Sequence, residues 1–222
     1  MIHKTRGIVF QFTRFRETSI IVRIFTEAFG LQSYIVNGVR TSKASGNKIA
    51  LYQPLTLLDL VVYHREHANI NRIKEAKCLY PYRTLHSDIK KSSVGIFINE
   101  IMLKTVKEES HASDIFDFLF HSLLAFDHQE KGYENFHLIF LLKLSRYLGF
   151  GAHDARKITH GDMDDSDEQT LAHLLDADYN SNIPLSNSLR RHLLDALLKF
   201  YGEHIETFGE IKSVQILKEV IL

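Results

Sequence analysis

Over the first 80 residues apolar positions recur with a period of two: Ile8, Phe10 and Phe12; Ile20, Val22 and Ile24; Leu31, Ser33 and Ile35 set against Tyr34 and Val36; then Leu55, Leu57, Val61 and Tyr63. That period puts successive side chains on opposite faces and predicts β-strands. Gly30 separates the second strand from the third, Gly38 ends the third, and a weaker fifth strand is expected from about Asn69 to Leu79. The stretch Arg40 to Asn47 is polar, small and basic, which reads as a loop. Five short strands in so little chain predict a small closed barrel, because closure removes exposed sheet edges.

After Tyr80 the period becomes helical. Ile96, Phe97, Ile101, Met102 and Val106 predict a helix within about 88–108, and Ile115, Phe118, Leu119, Leu123 and Leu124 another within 113–127. A third, over about 134–148, is apolar nearly all round and is expected at the centre of its layer. Ser166 and Gln169 have capping-box spacing ahead of Leu171, Leu174 and Leu175. Ser186 is expected to cap a long helix with the stripe Leu189, Leu193, Leu197, Tyr201 and Ile205, and a last short helix covers Ser213 to Val220. The expected fold is therefore α+β: an N-terminal five-stranded barrel of the OB type over residues 1–80, followed by an all-helical domain over residues 81–222.

Composition bounds the chemistry. With 222 residues, 45% hydrophobic and 24% charged, the chain has ample apolar content for a packed core and lacks the signature of disorder. The longest uninterrupted apolar run, Leu138 to Leu142, is far shorter than a bilayer span, so no membrane association is expected. The opening Met1 to Arg6 leads into alternating residues rather than an apolar leader, so a cytoplasmic protein is expected. The single cysteine, Cys78, can form neither an internal disulfide nor a multi-thiolate zinc site. The balanced net charge hides an asymmetry. Residues 1–80 hold twelve Lys and Arg against five Asp and Glu, and residues 81–222 hold fifteen against twenty-two. One end of the chain can approach a polyanion and the other cannot, although basic residues also simply solubilise small domains.

Catalytic patterns are scarce. GxSxG, the GxxxxGK[ST] loop and GxGxxG are all absent. His64 and His67 have a spacing that would share a metal only on a helix, and a turn is expected there. His153, Asp154, His160 and Asp162 lie in loop-like chain without zinc-motif geometry. The acidic run over 162–168 starts like a calcium loop, but its sixth position is Asp167 and its twelfth is His173, where Gly and Glu are required. No catalytic residue, metal or cofactor is therefore expected.

A small barrel that takes a nucleic-acid strand needs cations for phosphates and flat rings for bases. Arg14 and Arg16 straddle Phe15 between the first two strands, and Arg40, Lys43 and Lys48 occupy or border the loop after the third. These five cations are the candidate DNA contacts. Phe15 and Tyr34, with Phe12 and Tyr63 behind them, are the candidate stacking rings. Nothing here offers a recognition helix, so little sequence specificity is expected. Two other readings remain open: a protein-interaction scaffold that never meets nucleic acid, and a metal-dependent hydrolase using the 162–168 run.

The residues Thr5-Arg6-Gly7-Ile8-Val9, then Phe15-Arg16-Glu17-Thr18-Ser19-Ile20-Ile21-Val22 leading to Phe25-Thr26-Glu27 and Gly30, then Gly38-Val39-Arg40 and Leu51 with Gln53-Pro54-Leu55-Thr56-Leu57-Leu58 resemble the bacterial RecO family. In the helical part, the Leu189-Arg190-Arg191 to Tyr201 helix is similar too. The resemblance implies a non-enzymatic recombination mediator in DNA repair, associated with the nucleoid. Such a protein binds single- and double-stranded DNA, anneals complementary strands, engages RecR and the acidic C-terminal tail of single-stranded DNA-binding protein, and so helps load RecA. Arg14, Arg16, Arg40 and the loop lysines Lys43 and Lys48 fall where the family's barrel meets DNA. In the helical domain Arg146, Arg190 and Arg191 are the candidate cations for an acidic, hydrophobic-ended peptide. Two departures stand out. Many family members carry a four-cysteine zinc module after a Leu-Gly-aromatic turn, whereas Leu148-Gly149-Phe150 is followed here by Gly151-Ala152-His153-Asp154. The family's usual tyrosine is replaced by Phe15.

Overall fold

A computed structural model describes residues 1–40, 48–66, 68–107 and 112–221. The five expected strands are present: β1 (Ile2–Phe15), β2 (Ser19–Thr26), β3 (Gly30–Val36), β4 (Leu57–Tyr63) and β5 (Asn71–Tyr80). They form a closed barrel in the order β1-β2-β3-β5-β4. All pairings are antiparallel except β3 with β5, which meet in parallel through Tyr34–Asn71 and Ile35–Arg72. Among the described residues seven α-helices follow: α1 (Ile89–Thr105), α2 (Ala112–His128), α3 (Phe136–Tyr147), α4 (Arg156–Thr159), α5 (Asp165–Leu175), α6 (Asn187–His204) and α7 (Val214–Val220). The chain forms two compact units, Met1–Tyr82 with Val106–Phe120 and Arg83–Thr105 with His121–Leu222, so α2 is shared between them.

In the first unit a β-bulge sets which residues fill the barrel. Val9 pairs with Ile24 and Gln11 with Arg23, leaving Phe10 as the extra residue. The alternation therefore inverts: Val9 and Phe12 both belong to the inner cluster with Ile20, Val22, Ile24, Tyr34, Leu58, Leu60 and Val62. Ile8 and Phe10, read from the sequence as sharing a face with Phe12, are instead buried on the outer side. There Phe10 meets Phe25 at 5.7 Å between centroids, and Phe25 meets Phe116 of α2 at 6.1 Å. Gly7 faces inward, where a Cβ would lie 2.7 Å from both Ile24 Cγ2 and Leu60 Cδ1, so a larger residue would prise β1 from its neighbours.

The second unit is built around α3, buried without a break from Phe136 to Leu142 as its pattern predicts. Tyr201 of α6 donates to the Leu141 carbonyl at 2.7 Å, and Tyr179 stacks on Phe136 at 4.3 Å. Two buried polar arrangements order this unit. The Asp127 carboxylate accepts from the backbone N–H groups of Arg83, Thr84 and Leu85 at 2.8–2.9 Å. Beside it Lys91, only 2% exposed, donates to Thr84 Oγ1 at 2.6 Å and the Asp127 carbonyl at 3.0 Å. Burial pulls this ammonium below the ordinary lysine range. Ser186 caps α6 as expected, accepting from Leu189 N–H at 3.1 Å. At α5 the cap is Asp164, which accepts from Asp167 N–H at 2.9 Å, while Ser166 lies inside the first turn. A carboxylate there gains from the helix dipole as well as the hydrogen bond, which explains the preference over the hydroxyl.

Candidate nucleic-acid interface

The β1–β2 connection is three residues long, and Arg16 adopts the left-handed conformation there, with φ of 54°. Its guanidinium lies 5.2 Å from the centroid of the half-buried Phe15 ring, so one face of that ring already carries a cation. Arg40 returns to the same turn: its backbone N–H donates to the Thr18 carbonyl and its Nη1 to the Arg16 carbonyl, both at 3.2 Å. Three of the expected cations, Arg14, Arg16 and Arg40, thus meet at one end of the barrel. All three are exposed, and among the described residues none is paired with an acid. Lys48 is exposed as well. Lys43 lies outside the described residues.

The strand register continues this surface around the barrel. Thr13, Ile21, Ile35, Arg72 and Tyr63 are successive cross-strand neighbours on β1, β2, β3, β5 and β4. They point outward, because Ile20, Val22, Tyr34 and Val62 between them point in. A parallel row, Gln11, Arg23 and Ser33, runs beside it. Arg23 and Arg72 were not singled out from the sequence. The signal for Arg23 was available, since it sits between the inward Val22 and Ile24. Arg72 follows only once the β3–β5 register is known.

The expected stacking rings separate sharply. Tyr34 is 0% exposed and sits inside the barrel, where burial pushes its phenol up to about 12. It cannot present a face to a base, and Phe12 packs against the same inner cluster. Tyr63 is 43% exposed and has Arg72 as its cross-strand neighbour. Not every cation of the barrel is available either. Arg6 donates to both carboxylate oxygens of Glu27 at 2.9 and 2.8 Å and to Asp117 at 2.8 Å, beneath the rings of Phe116 and Phe120. The Arg6 hydrogen bonds hold the Glu27 carboxyl below its ordinary range. Lys4 pairs with Asp59 at 3.4 Å.

Comparison with known proteins decides the ancestry of this arrangement. Residues 1–82 match the family model Recombination protein O N terminal, and residues 86–165 match Recombination protein O C terminal. Proteins named DNA repair protein RecO are similar over nearly the whole chain. That of Flavobacterium psychrophilum is 35% identical and that of Flavobacterium johnsoniae 33%, each over 98% of both chains. That of Phocaeicola vulgatus is 32% identical over 99% of both. The chain belongs to the RecO family.

Within this RecO chain the helical unit places its three expected peptide-binding cations very differently. Arg190 is 8% exposed and is no surface cation: Nε donates to Asn135 Oδ1 at 2.8 Å, Nη1 to Asn187 Oδ1 at 2.6 Å and Nη2 to the Leu185 carbonyl at 2.9 Å. It lines a cleft of about 420 Å³ together with Gly132, Glu134, Ile183 and Pro184. Arg146 is exposed, but its Nη2 donates to the Leu175 carbonyl. Arg191 is exposed with no partner among the described residues.

The candidate metal ligands of this RecO member are spread over separate local contacts. After α3 the turn bends through Gly149, with φ of 86°, into Gly151-Ala152-His153-Asp154, which offers no thiolate, so these residues do not fit a four-cysteine zinc module. His160 hydrogen-bonds Glu203 at 3.0 Å. His64 stacks on Phe29 at 3.9 Å, and His67 lies outside the described residues. The acidic run serves α5. Asp164 caps it, Asp165 and Asp167 lie in its first turn, and the buried Glu168 accepts from Arg156 Nε and Thr159 Oγ1 at 3.1 Å. Among the described residues no cluster of three or more His, Cys, Asp or Glu could hold a metal. No described helix is long and apolar enough to cross a membrane.

Proposed function

We propose that this chain is a DNA-binding recombination mediator that makes and breaks no covalent bonds. The barrel of residues 1–80 takes single- or double-stranded DNA against Arg14, Arg16, Arg40 and Lys48, with Arg23 and Arg72 extending the track. Phe15 and Tyr63 supply the ring faces. The observation that carries this reading is that Arg40 is tied to the Arg16 carbonyl at the β1–β2 turn, with Arg14 at the adjoining end of β1 and none of the three paired with an acid among the described residues. The mechanism is electrostatic. Two strands repel through their phosphates, and a surface that neutralises both lowers the cost of bringing complementary sequences together.

The helical region, residues 81–222, serves protein partners in this reading. Family membership supports RecR and the acidic tail of single-stranded DNA-binding protein as those partners, with RecA loaded as the consequence. Arg191 and Arg146 are the accessible cations for such a peptide. Fluorescence anisotropy of a labelled oligonucleotide, with strand annealing followed in parallel, tests the proposal. The Arg14→Glu, Arg16→Glu, Arg40→Glu triple variant is expected to lose about 100-fold or more in affinity near 0.1 M salt and to anneal poorly. Unchanged affinity would favour a pure protein scaffold.

A further inference from the structure

Arg190 carries a charge that the fold leaves without a counter-ion. The side chain is more than nine-tenths buried, and its three hydrogen bonds go to uncharged acceptors: Asn135 Oδ1, Asn187 Oδ1 and the Leu185 carbonyl. A guanidinium has five N–H donors, so its capacity is not exhausted. Among the described residues no acid forms an ion pair with it. Burial disfavours its charged form, and the Glu134 carboxylate offsets this only in part. Buried charges are ordinarily paired, because an isolated ion away from water is costly. Glu134 lines the same cleft of about 420 Å³, yet the two opposite charges do not touch. Asn135 holds the arrangement, accepting from Arg190 Nε at 2.8 Å and donating to the Ile183 carbonyl at 2.7 Å. The rest of the lining combines Ile183, Pro184 and Leu185 with the polar Ser181, Asn182 and Ser186. The volume lies at the lower end of the roughly 300–1,000 Å³ of small-molecule sites.

We propose that this cleft binds a free, zwitterionic α-amino acid, its carboxylate on Arg190, its ammonium on Glu134 and its side chain against Ile183 and Pro184. A simple anion such as phosphate meets the Glu134 carboxylate, and a simple cation meets the guanidinium. A ligand with both charges avoids either conflict. An α-amino acid holds them one carbon apart, and a charge-assisted hydrogen bond of about 2.8 Å at each end lets it bridge two groups that do not reach each other. It also supplies the counter-ion that Arg190 lacks. Bound there, it joins the turn Tyr133–Asn135 ahead of α3 to the first turns of α6 and stabilises the folded helical unit by mass action. The inference goes beyond DNA and partner-protein binding, because it gives the helical unit a small-molecule site.

Isothermal titration calorimetry of the full-length chain against each of the common α-amino acids provides the test. At least one is expected to bind with a Kd of about 1 mM or tighter. For that amino acid, N-acetylation removes the ammonium and conversion to the amide removes the carboxylate, and each is expected to weaken binding about 10-fold or more. The amide tests the Arg190 contact from the ligand side, leaving the hydrogen bonds of that arginine intact. Glu134→Gln keeps the shape of the cleft. It is expected to weaken the free amino acid as much as N-acetylation does, while leaving the affinity of the N-acetyl derivative unchanged. The same variant should retain the parental oligonucleotide affinity, so this inference and the DNA-binding reading fail separately. Three results would each overturn the inference: no binding of any amino acid at millimolar concentration, an N-acetyl derivative that binds as tightly as the free form and so points to a peptide terminus, or a Glu134→Gln variant with parental affinity for the free amino acid.

Discussion

The barrel turn and the helical unit use arginine and lysine in opposite ways. At the turn, Arg14, Arg16 and Arg40 are exposed and unpaired by acids among the described residues, and Arg40 donates from its side chain to a backbone carbonyl. In the helical unit, Arg190 and Lys91 are 8% and 2% exposed and tied to carbonyls, amides and a hydroxyl. The first arrangement leaves positive charge available to a ligand, and the second uses it to order the fold. Arg6 shows that the distinction is not one of domain, since in the barrel itself it is held by Glu27 and Asp117. A count of basic residues therefore says less about nucleic-acid binding than where their N–H groups point.

The largest effect is expected where the helical unit's polar order is broken. Asp127→Ala leaves three backbone N–H groups without their acceptor, and urea denaturation should show a loss of about 3–5 kcal/mol. Next come two adjacent arginines. Arg190→Ala strips hydrogen bonds from Asn135, Asn187 and Leu185 and should cost about 2–4 kcal/mol, while Arg191→Ala should stay within about 0.5 kcal/mol. Equal effects would erase the contrast between buried and surface cations.

A third prediction concerns pH. His137 is fully buried on α3, and burial, reinforced by the Arg190 guanidinium, lowers its pKa to about 3. The unfolded chain takes up this proton near pH 6.5 while the folded chain does not. Stability should therefore fall as pH drops from about 6.5 to 3, by up to about 1.4 kcal/mol per pH unit. His137→Leu should flatten that limb of the stability profile, and an unchanged slope would show that the imidazole is already protonated in the fold.

How much of this was legible in the sequence varies with the feature. The five strands, the Ser186 cap and the all-round burial of α3 follow from local periodicity and chemistry, which act within one element. Tyr34 did not follow, because β3 carries apolar residues on both faces and only the pairing to β2 and β5 decides which face turns in. The bulge at Phe10 likewise leaves no mark on an alternating run, yet it inverts every later residue of β1. Arg190 reads as an exposed helix cation until Asn135, 55 residues away in sequence, is brought beside it. The turn arginines were legible because loop chemistry and charge coincide there.

The salt dependence of oligonucleotide affinity tests the central contrast most directly, with neutral glutamines in place of the arginines. Each lost phosphate contact should flatten the log–log slope by about 0.7, so Arg14→Gln, Arg16→Gln, Arg40→Gln together should reduce it by about 2. Arg6→Gln should leave the slope untouched while lowering stability by about 1–2 kcal/mol. A triple variant with the parental slope, or an Arg6→Gln variant that flattens it equally, would contradict the account.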